Sequence, residues 1–134
     1  MGGLKMQEDY FGHGSWVIAE SSNYFIIGQY EDAFLYSKSD NKLLADIGCF
    51  YGDPEGGLID WNERFCVTYG CGYIIYFLRP PFQQYSGYKG STQWIEFGND
   101  PENTEWIVSA KQTSDNEIEL TDEDGNVKVV RIPL

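Results

Sequence analysis

Glycine, proline, asparagine and aspartate interrupt this sequence so often that no stretch of ten or more residues keeps the apolar period of a helix. An amphipathic helix would need apolar residues at intervals of three and four over about 11–18 residues. The segments between the interruptions are short and rich in aromatic and β-branched side chains, which favour strands. The sequence therefore predicts an all-β, mainly antiparallel fold of about ten short strands, arranged as a sandwich or a barrel-like fold.

The predicted strands follow one another at the regular spacing that is typical of such folds. They are residues 15–20, 23–28, 33–36, 43–51, 58–60, 65–69, 73–78, 94–97, 106–111, 117–121 and 127–132. At most one or two short helical turns are expected, and the best candidate is residues 99–102. There Asn99 and Asp100 are N-cap types, Pro101 suits a first helical position, and Glu102 would lie in the first turn.

The last two predicted strands form a hairpin. Polar and apolar residues alternate along residues 117–121, and the following acidic segment contains Asp124-Gly125, which supplies the positive φ of a tight turn. Ile118 and Leu120 are expected to share a face with Val127, Val129 or Val130, depending on the register. The charged residues are expected to face water; they are Glu117, Glu119, Lys128 and Arg131.

The length of 134 residues predicts a single domain over residues 1–134, with residues 1–12 as a candidate disordered segment. The formal net charge is −12, from 21 acidic and nine basic residues. Binding to nucleic acid or to an anionic membrane needs clustered Lys and Arg, so neither is expected. Glu8 and Asp9 interrupt the N-terminus before the apolar stretch of a signal peptide forms, which predicts a cytoplasmic protein.

Three cysteines do not make a disulfide framework. Cys49, Cys66 and Cys71 lie among aromatic and β-branched residues and are expected to be buried, reduced thiols. A zinc site of Cys66, Cys71 and His13 is the alternative, but it lacks a second ligand pair. No metal and no cofactor are expected.

Catalytic patterns are weak. His13 is the single histidine, and no local motif joins it to a cysteine nucleophile. A carboxylate pair drawn from Asp46, Asp53 and Asp60 would suit a glycosidase, yet two neighbouring acids are expected by chance in so acidic a chain. Residues 122–126 resemble a calcium loop only in being acidic, because strands flank them and no distal Glu follows. The protein is therefore not expected to be an enzyme.

The charge distribution is the most specific signal. Residues 96–124 contain ten acidic residues against Lys111 alone, and residues 46–63 contain five acidic residues and no base. Such a surface either keeps the protein soluble or steers a basic partner towards it. Exposed aromatics beside it would anchor that partner. The predicted partner-binding residues are Glu102, Glu105, Trp106, Glu117, Glu119, Asp122, Glu123, Asp124, Trp61, Tyr85 and Tyr88.

The segments 50–60, 65–67, 72–76, 93–94 and 105–107, in a small acidic chain without a catalytic motif, resemble bacterial immunity proteins, the cognate inhibitors of polymorphic or contact-dependent toxins. The resemblance implies an inhibitor that covers the basic active-site cleft of a toxin, such as a nuclease. The chain is separately expected to be a monomer or a weak homodimer. The alternatives are a carbohydrate- or ligand-binding β-domain, and an acidic DNA mimic that inhibits a nucleic-acid-binding protein.

Overall fold

The computed structural model describes residues 14–87, 90–100 and 102–134. These residues form thirteen strands and no helix, so no helix among them is long and apolar enough to cross a membrane. The strands are β1 (Ser15–Glu20), β2 (Tyr24–Gln29), β3 (Asp32–Ser37), β4 (Lys42–Cys49), β5 (Gly56–Ile59), β6 (Phe65–Gly70), β7 (Gly72–Phe77), β8 (Trp94–Phe97), β9 (Asn99–Asp100), β10 (Asn103–Thr104), β11 (Ile107–Ser114), β12 (Glu117–Asp122) and β13 (Val127–Arg131). The all-β prediction is confirmed. The candidate disordered segment 1–12 and His13 lie outside the described residues.

The strands form three antiparallel sheets that follow chain order, together with the small hairpin β9–β10. We call β1-β2-β3-β4 the first sheet, β5-β6-β7-β8 the central sheet and β11-β12-β13 the third sheet. The sheets stack as layers and do not close into a barrel, so the barrel-like alternative is wrong.

The central sheet is buried on both faces, and every residue of β6 and β7 is buried. Cys66, Ile74 and Tyr76 pack against the first sheet, in a core that includes Ile26 and Leu35. The alternate residues of β6 and β7, which include Phe65, Val67 and Ile75, pack against the third sheet. Both sequence runs are apolar almost throughout for this reason, with Thr68 the buried polar residue of β6, whereas strands with one face in water alternate.

The register of the terminal hairpin decides which residues face the core. Ile118 pairs with Val130 and Leu120 pairs with Lys128, and directly paired residues share one face of a sheet. Val130 therefore packs with the core, while Val127 and Val129 are exposed on the other face. Lys128 pairs with Leu120 and so lies on the core side of the sheet, at its rim, where it is exposed to water as predicted.

The expected helical turn at residues 99–102 is also wrong, because β9 and β10 form a hairpin there. The carboxylate of Asp100 accepts a hydrogen bond from the main-chain N–H of Glu102, with Oδ1 2.9 Å from the nitrogen. That bond closes an Asx turn, and the same residue types that favour a helix N-cap favour this turn.

The expectation of three buried thiols fails at Cys49, which is exposed, while Cys66 and Cys71 are buried. Cys49 pairs with Asp32 at the end of β4. It therefore lies at the margin of the first sheet rather than in the core.

Two ends of this layered fold carry the loops. Hydrogen bonds from Ser21 and Asn23 to the carboxylate of Glu63, and from Arg64 to Asp115, bring residues 21–23, 61–64 and 114–116 together at what we call the opposite end. Residues 30–31, 51–55, 105–106 and 122–126 meet at what we call the acidic end.

Candidate protein-binding site

The acidic end carries the two most exposed aromatic side chains of the described residues, Tyr51 and Tyr30, at 82% and 71% exposure. Glu31 joins the two segments that hold them. Its main-chain oxygen accepts from the N–H of Phe50 at 2.9 Å, and its carboxylate accepts from the N–H of Gly52 at 2.9 Å. Both tyrosines therefore project from one hydrogen-bonded unit.

Trp106 connects this unit to the third sheet. It forms a β-bridge with Cys71, and its main-chain oxygen accepts a hydrogen bond from Glu123 at 3.0 Å. The indole lies against Gly52, where an added Cβ would be 3.4 Å from the ring. The half-buried Trp106 therefore lies between the segments that carry Tyr30 and Tyr51 and the acidic loop 122–126.

The side chains around these aromatics are almost all acidic. The segments that meet at this end contain seven acids and no base, and Lys128 of β13 lies next to one of them; the acids are Glu31, Asp53, Glu55, Glu105, Asp122, Glu123 and Asp124. Lys128 forms an ion pair with Glu105, and its ammonium lies 5.8 Å from the centre of the Tyr73 ring. Of the basic residues that the structure describes, Lys38, Lys42, Arg64 and Arg79 lie towards the opposite end, where Glu20, Asp60 and Asp115 pair with two of them. The net negative charge is therefore concentrated at the acidic end.

Asp122 shapes the loop that presents its neighbours. Its carboxylate accepts hydrogen bonds from the main-chain N–H groups of Asn126 and Asp124, at 2.9 and 3.0 Å. These bonds, led by the one from Asn126, lower the pKa of Asp122. Gly125 has a φ of +86°, as the predicted turn requires. The loop is therefore ordered, and it leaves Glu123 and Asp124 exposed.

Chemically, this end suits a cationic partner. Exposed carboxylates bind Lys and Arg through charge-assisted hydrogen bonds, and tyrosine rings bind the same cations through their faces. Tyrosine and tryptophan are also the residues that contribute most to protein interfaces. The arrangement fits the docking of a basic protein surface.

The structure unites only part of the predicted site. Glu105, Trp106, Asp122, Glu123 and Asp124 meet at the acidic end. Trp61 is 64% exposed but lies at the opposite end, where its N–H donates to Gln112. Glu102 is exposed in the turn between β9 and β10.

The remaining predicted residues lie elsewhere. Glu117 and Glu119 are half-buried on the outer face of the third sheet, in ion pairs with Arg131 and Lys111. Tyr85 is half-buried against Trp94, with ring centroids 5.3 Å apart, and its hydroxyl donates to Glu96 at 2.7 Å. Tyr88 lies outside the described residues.

Sequence reasoning missed Tyr30 and Tyr51 as site residues. Tyr30 is the first residue of the two-residue turn between β2 and β3, and its φ is +56°. A bulky residue in this conformation is strained, and glycine or asparagine normally occupies it. The feature of the sequence that could have identified Tyr30 was an aromatic residue in a short turn that contains no glycine.

The catalytic alternatives gain no support from the geometry. Asp53 and Asp60 lie at opposite ends of β5, too far apart to act as a pair. Burial would raise the pKa of Asp60, but hydrogen bonds from Arg64 and Gln112 outweigh it and lower that pKa to about 2. Burial raises the pKa of Asp46, on β4, to about 6. No group of three His, Cys, Asp or Glu side chains in the described ranges is placed to hold a metal ion.

No protein-family model matches this chain, and no curated protein matches it significantly.

Proposed function

We propose that this protein is an acidic inhibitor that binds a basic protein, specifically an immunity protein that neutralises a cognate toxin by covering its active-site cleft. The observation that carries the proposal is the acidic end. There Tyr30 and Tyr51 project from the hydrogen-bonded unit that contacts Trp106, and the same end holds exposed carboxylates: Glu31, Asp53, Glu55, Glu123 and Asp124. A nuclease cleft, which is lined with Lys and Arg to hold phosphates, is a complementary surface.

The mechanism has two parts. The polarised charge of the molecule steers its acidic end towards a basic cleft and accelerates association by roughly 10–1,000-fold at low salt. The tyrosine rings then exclude water from the contact and slow dissociation. Inhibition follows from occupancy of the cleft and needs no chemical step. The cytoplasm, where such a toxin acts, is the proposed compartment.

The test is a pull-down from lysate of the source organism with the tagged chain, followed by low-salt and high-salt washes and by binding kinetics with the captured partner. Three variants are compared: Tyr51→Ala and Tyr30→Ala at the acidic end, and Trp61→Ala at the opposite end. Trp61 is the matched control because it is a comparably exposed aromatic residue in a loop.

We expect one basic protein in near-stoichiometric amount, with an association rate that falls as salt rises. Tyr51→Ala is expected to raise the dissociation constant by about 30-fold or more, which corresponds to about 2 kcal/mol at an interface anchor. Trp61→Ala should leave it unchanged. An association rate that does not depend on salt, or a loss of affinity with Trp61→Ala and not with Tyr51→Ala, would contradict the proposal.

A second candidate is ligand binding, favoured by an open cleft of about 430 Å³ beside β8. Its lining includes Phe97, Glu105 and Lys128, and the partly exposed Phe97 ring stacks on Tyr73 with centroids 5.1 Å apart. Aromatic faces beside polar groups are typical of carbohydrate sites. Binding on a glycan array that Phe97→Ala abolishes would favour this function, and an array without hits would oppose it.

A further inference from the structure

Among the residues that the structure describes, the last strand, β13, is the outer edge of the third sheet. Two main-chain hydrogen bonds at the ends of this strand show which of its residues bond to β12. The N–H of Asp122 donates to Asn126, and the N–H of Ile132 donates to Asn116. Bonded pairs alternate along an antiparallel ladder. Lys128 and Val130 therefore bond to β12, whereas the main-chain groups of Val127, Val129 and Arg131 point away from the sheet.

The side chains of this edge are unusual for so acidic a chain. Val127 and Val129 are 58% and 60% exposed, and the strand Val127–Arg131 contains two basic residues and no acidic one. Unpaired main-chain groups beside exposed valines form a template for another strand. Two chains of charge −12 repel each other least if they meet at such an edge.

We propose that β13 pairs with β13 of a second copy of this chain, antiparallel and centred on Val129. The three outward-pointing residues lie symmetrically about this position. Val129 would exchange hydrogen bonds with Val129 of the other copy, and Val127 would pair with Arg131. Centring on Lys128 or Arg131 would place two like charges opposite each other, and centring on Val127 or Val130 would pair an outward-pointing residue of one copy with a residue beyond the strand of the other.

The proposed pairing joins the two third sheets into one sheet of six strands. On its outer face the central row would run from Lys111 and Glu119 through the two Val129 side chains to the same residues of the other copy, because Glu119 pairs with both Lys111 and Val129. An apolar contact would thus lie between two ion pairs. Five residues per copy form a small interface, so the dimer is weak and depends on concentration.

This dimer does not depend on the proposed inhibitory function, and salt separates the two. Salt screens the repulsion between two acidic chains and so strengthens the dimer, whereas it weakens binding to a basic partner. The proposed surfaces are also distinct, since the dimer uses the edge of the third sheet and the partner uses the loops of the acidic end.

The test is sedimentation of the full chain over a wide concentration range at low and high salt. Val129→Lys and Val129→Glu are each expected to raise the dimer dissociation constant by about tenfold or more, because like charges then face each other at the centre. An equimolar mixture of the two variants should recover dimers, since Lys then faces Glu. Val108→Lys is the control, because Val108 is an exposed valine on β11, at the opposite edge of the third sheet from β13.

Unfolding midpoints of the variants separate a lost interface from a lost fold. Amide exchange provides a second measurement on the unaltered chain: the N–H groups of Val127, Val129 and Arg131 should gain protection as concentration rises. A chain that sediments as a monomer at every concentration, a dimer that survives Val129→Lys, or a variant mixture that stays monomeric would overturn the proposal.

Discussion

The guanidinium group of Arg64 forms a two-point ion pair with the buried carboxylate of Asp60, with Nε 2.6 Å from Oδ2 and Nη2 3.0 Å from Oδ1. Gln112 of β11 donates to the same carboxylate at 2.8 Å, and Arg64 also donates to the main-chain oxygen of Asp115. The Asp60 carboxylate therefore connects the loop between β5 and β6 to the third sheet, and it holds the central and third sheets together at the opposite end.

The first prediction concerns this carboxylate. Asp60→Asn removes the charge but keeps the volume, and we expect the free energy of unfolding to fall by about 2–3 kcal/mol because a buried ion pair loses one partner. Urea denaturation at pH 7 measures the loss. Asp115→Asn is the control, since the exposed pair of Arg64 with Asp115 contributes no more than about 1 kcal/mol. Equal losses from the two variants would show that Asp60 has no special role.

The same carboxylate predicts a response to acid. The pKa of Asp60 is lowered to about 2 in the folded protein, so its contribution is complete above the pKa of the unfolded chain, near 4. The contribution is lost as the pH falls from about 4 to about 2. The stability difference between the unaltered chain and Asp60→Asn should therefore shrink over this range in urea titrations. A difference that stays constant down to pH 2 would contradict the assigned ion pair.

For Asp46 we expect the opposite effect, because removal of its charge should stabilise the folded protein at neutral pH. Burial raises its pKa to about 6, so the ionised form destabilises the folded protein at neutral pH. Asp46→Asn should be more stable than the unaltered chain by about 1 kcal/mol at pH 7, a value reduced for the half-exposed position. This advantage should appear as the pH rises from about 4 to about 6 and be absent below pH 4. Thermal unfolding of both proteins over this range is the measurement, and a pH-independent difference would refute the prediction.

The next prediction concerns the backbone strain at Tyr30. Tyr30→Gly removes a bulky side chain from a φ of +56°, and we expect the free energy of unfolding to rise by about 0.5 kcal/mol after the greater flexibility of unfolded glycine is counted. Tyr51→Gly is the matched control, because Tyr51 has no positive φ, and it should bring no gain. If Tyr30→Gly destabilises the protein as much as the control does, the turn stores no strain.

The three cysteines are expected to differ in how fast their thiols react with a disulfide reagent. A disulfide reagent should label one thiol of residues 49, 66 and 71 in the folded protein and all three in denaturant, because only Cys49 is exposed. Partial desolvation at the sheet margin and the neighbouring Asp32 raise the pKa of Cys49 to about 11, so its labelling at pH 8 should be about 100-fold slower than that of an ordinary thiol. Cys49→Ser should abolish the native-state reaction. Fast labelling, or labelling that survives this substitution, would contradict the structure.

The strands could be located from the sequence because turn residues separate them, and β1 and β8 begin and end as predicted. The double burial of β6 and β7 could not be inferred, since a continuous apolar run is also compatible with burial at a single strong interface. The turn at residues 99–102 was misassigned because one carboxylate-to-amide bond serves both an N-cap and an Asx turn.

The candidate site was harder to predict than the strands. The acids of the terminal hairpin stood out by their number, and Trp106 by its position next to them. Tyr30 and Tyr51 reach that surface only because Glu31 bonds across to Gly52, a contact between residues 21 positions apart. Trp61, like Tyr51, is an aromatic residue in a loop that follows a strand, yet it lies at the opposite end. Which loops meet depends on how the sheets stack, and no local pattern contains that information.

The doubly buried central sheet has a consequence for how this protein could change over generations. Its packing residues are in β6 and β7 and in the inner faces of the neighbouring sheets, while the tyrosines and carboxylates of the acidic end occupy loops that contribute little to the core. Substitutions in those loops can accumulate without loss of the fold. A lineage with this architecture can therefore vary the surface of its acidic end while its interior stays the same.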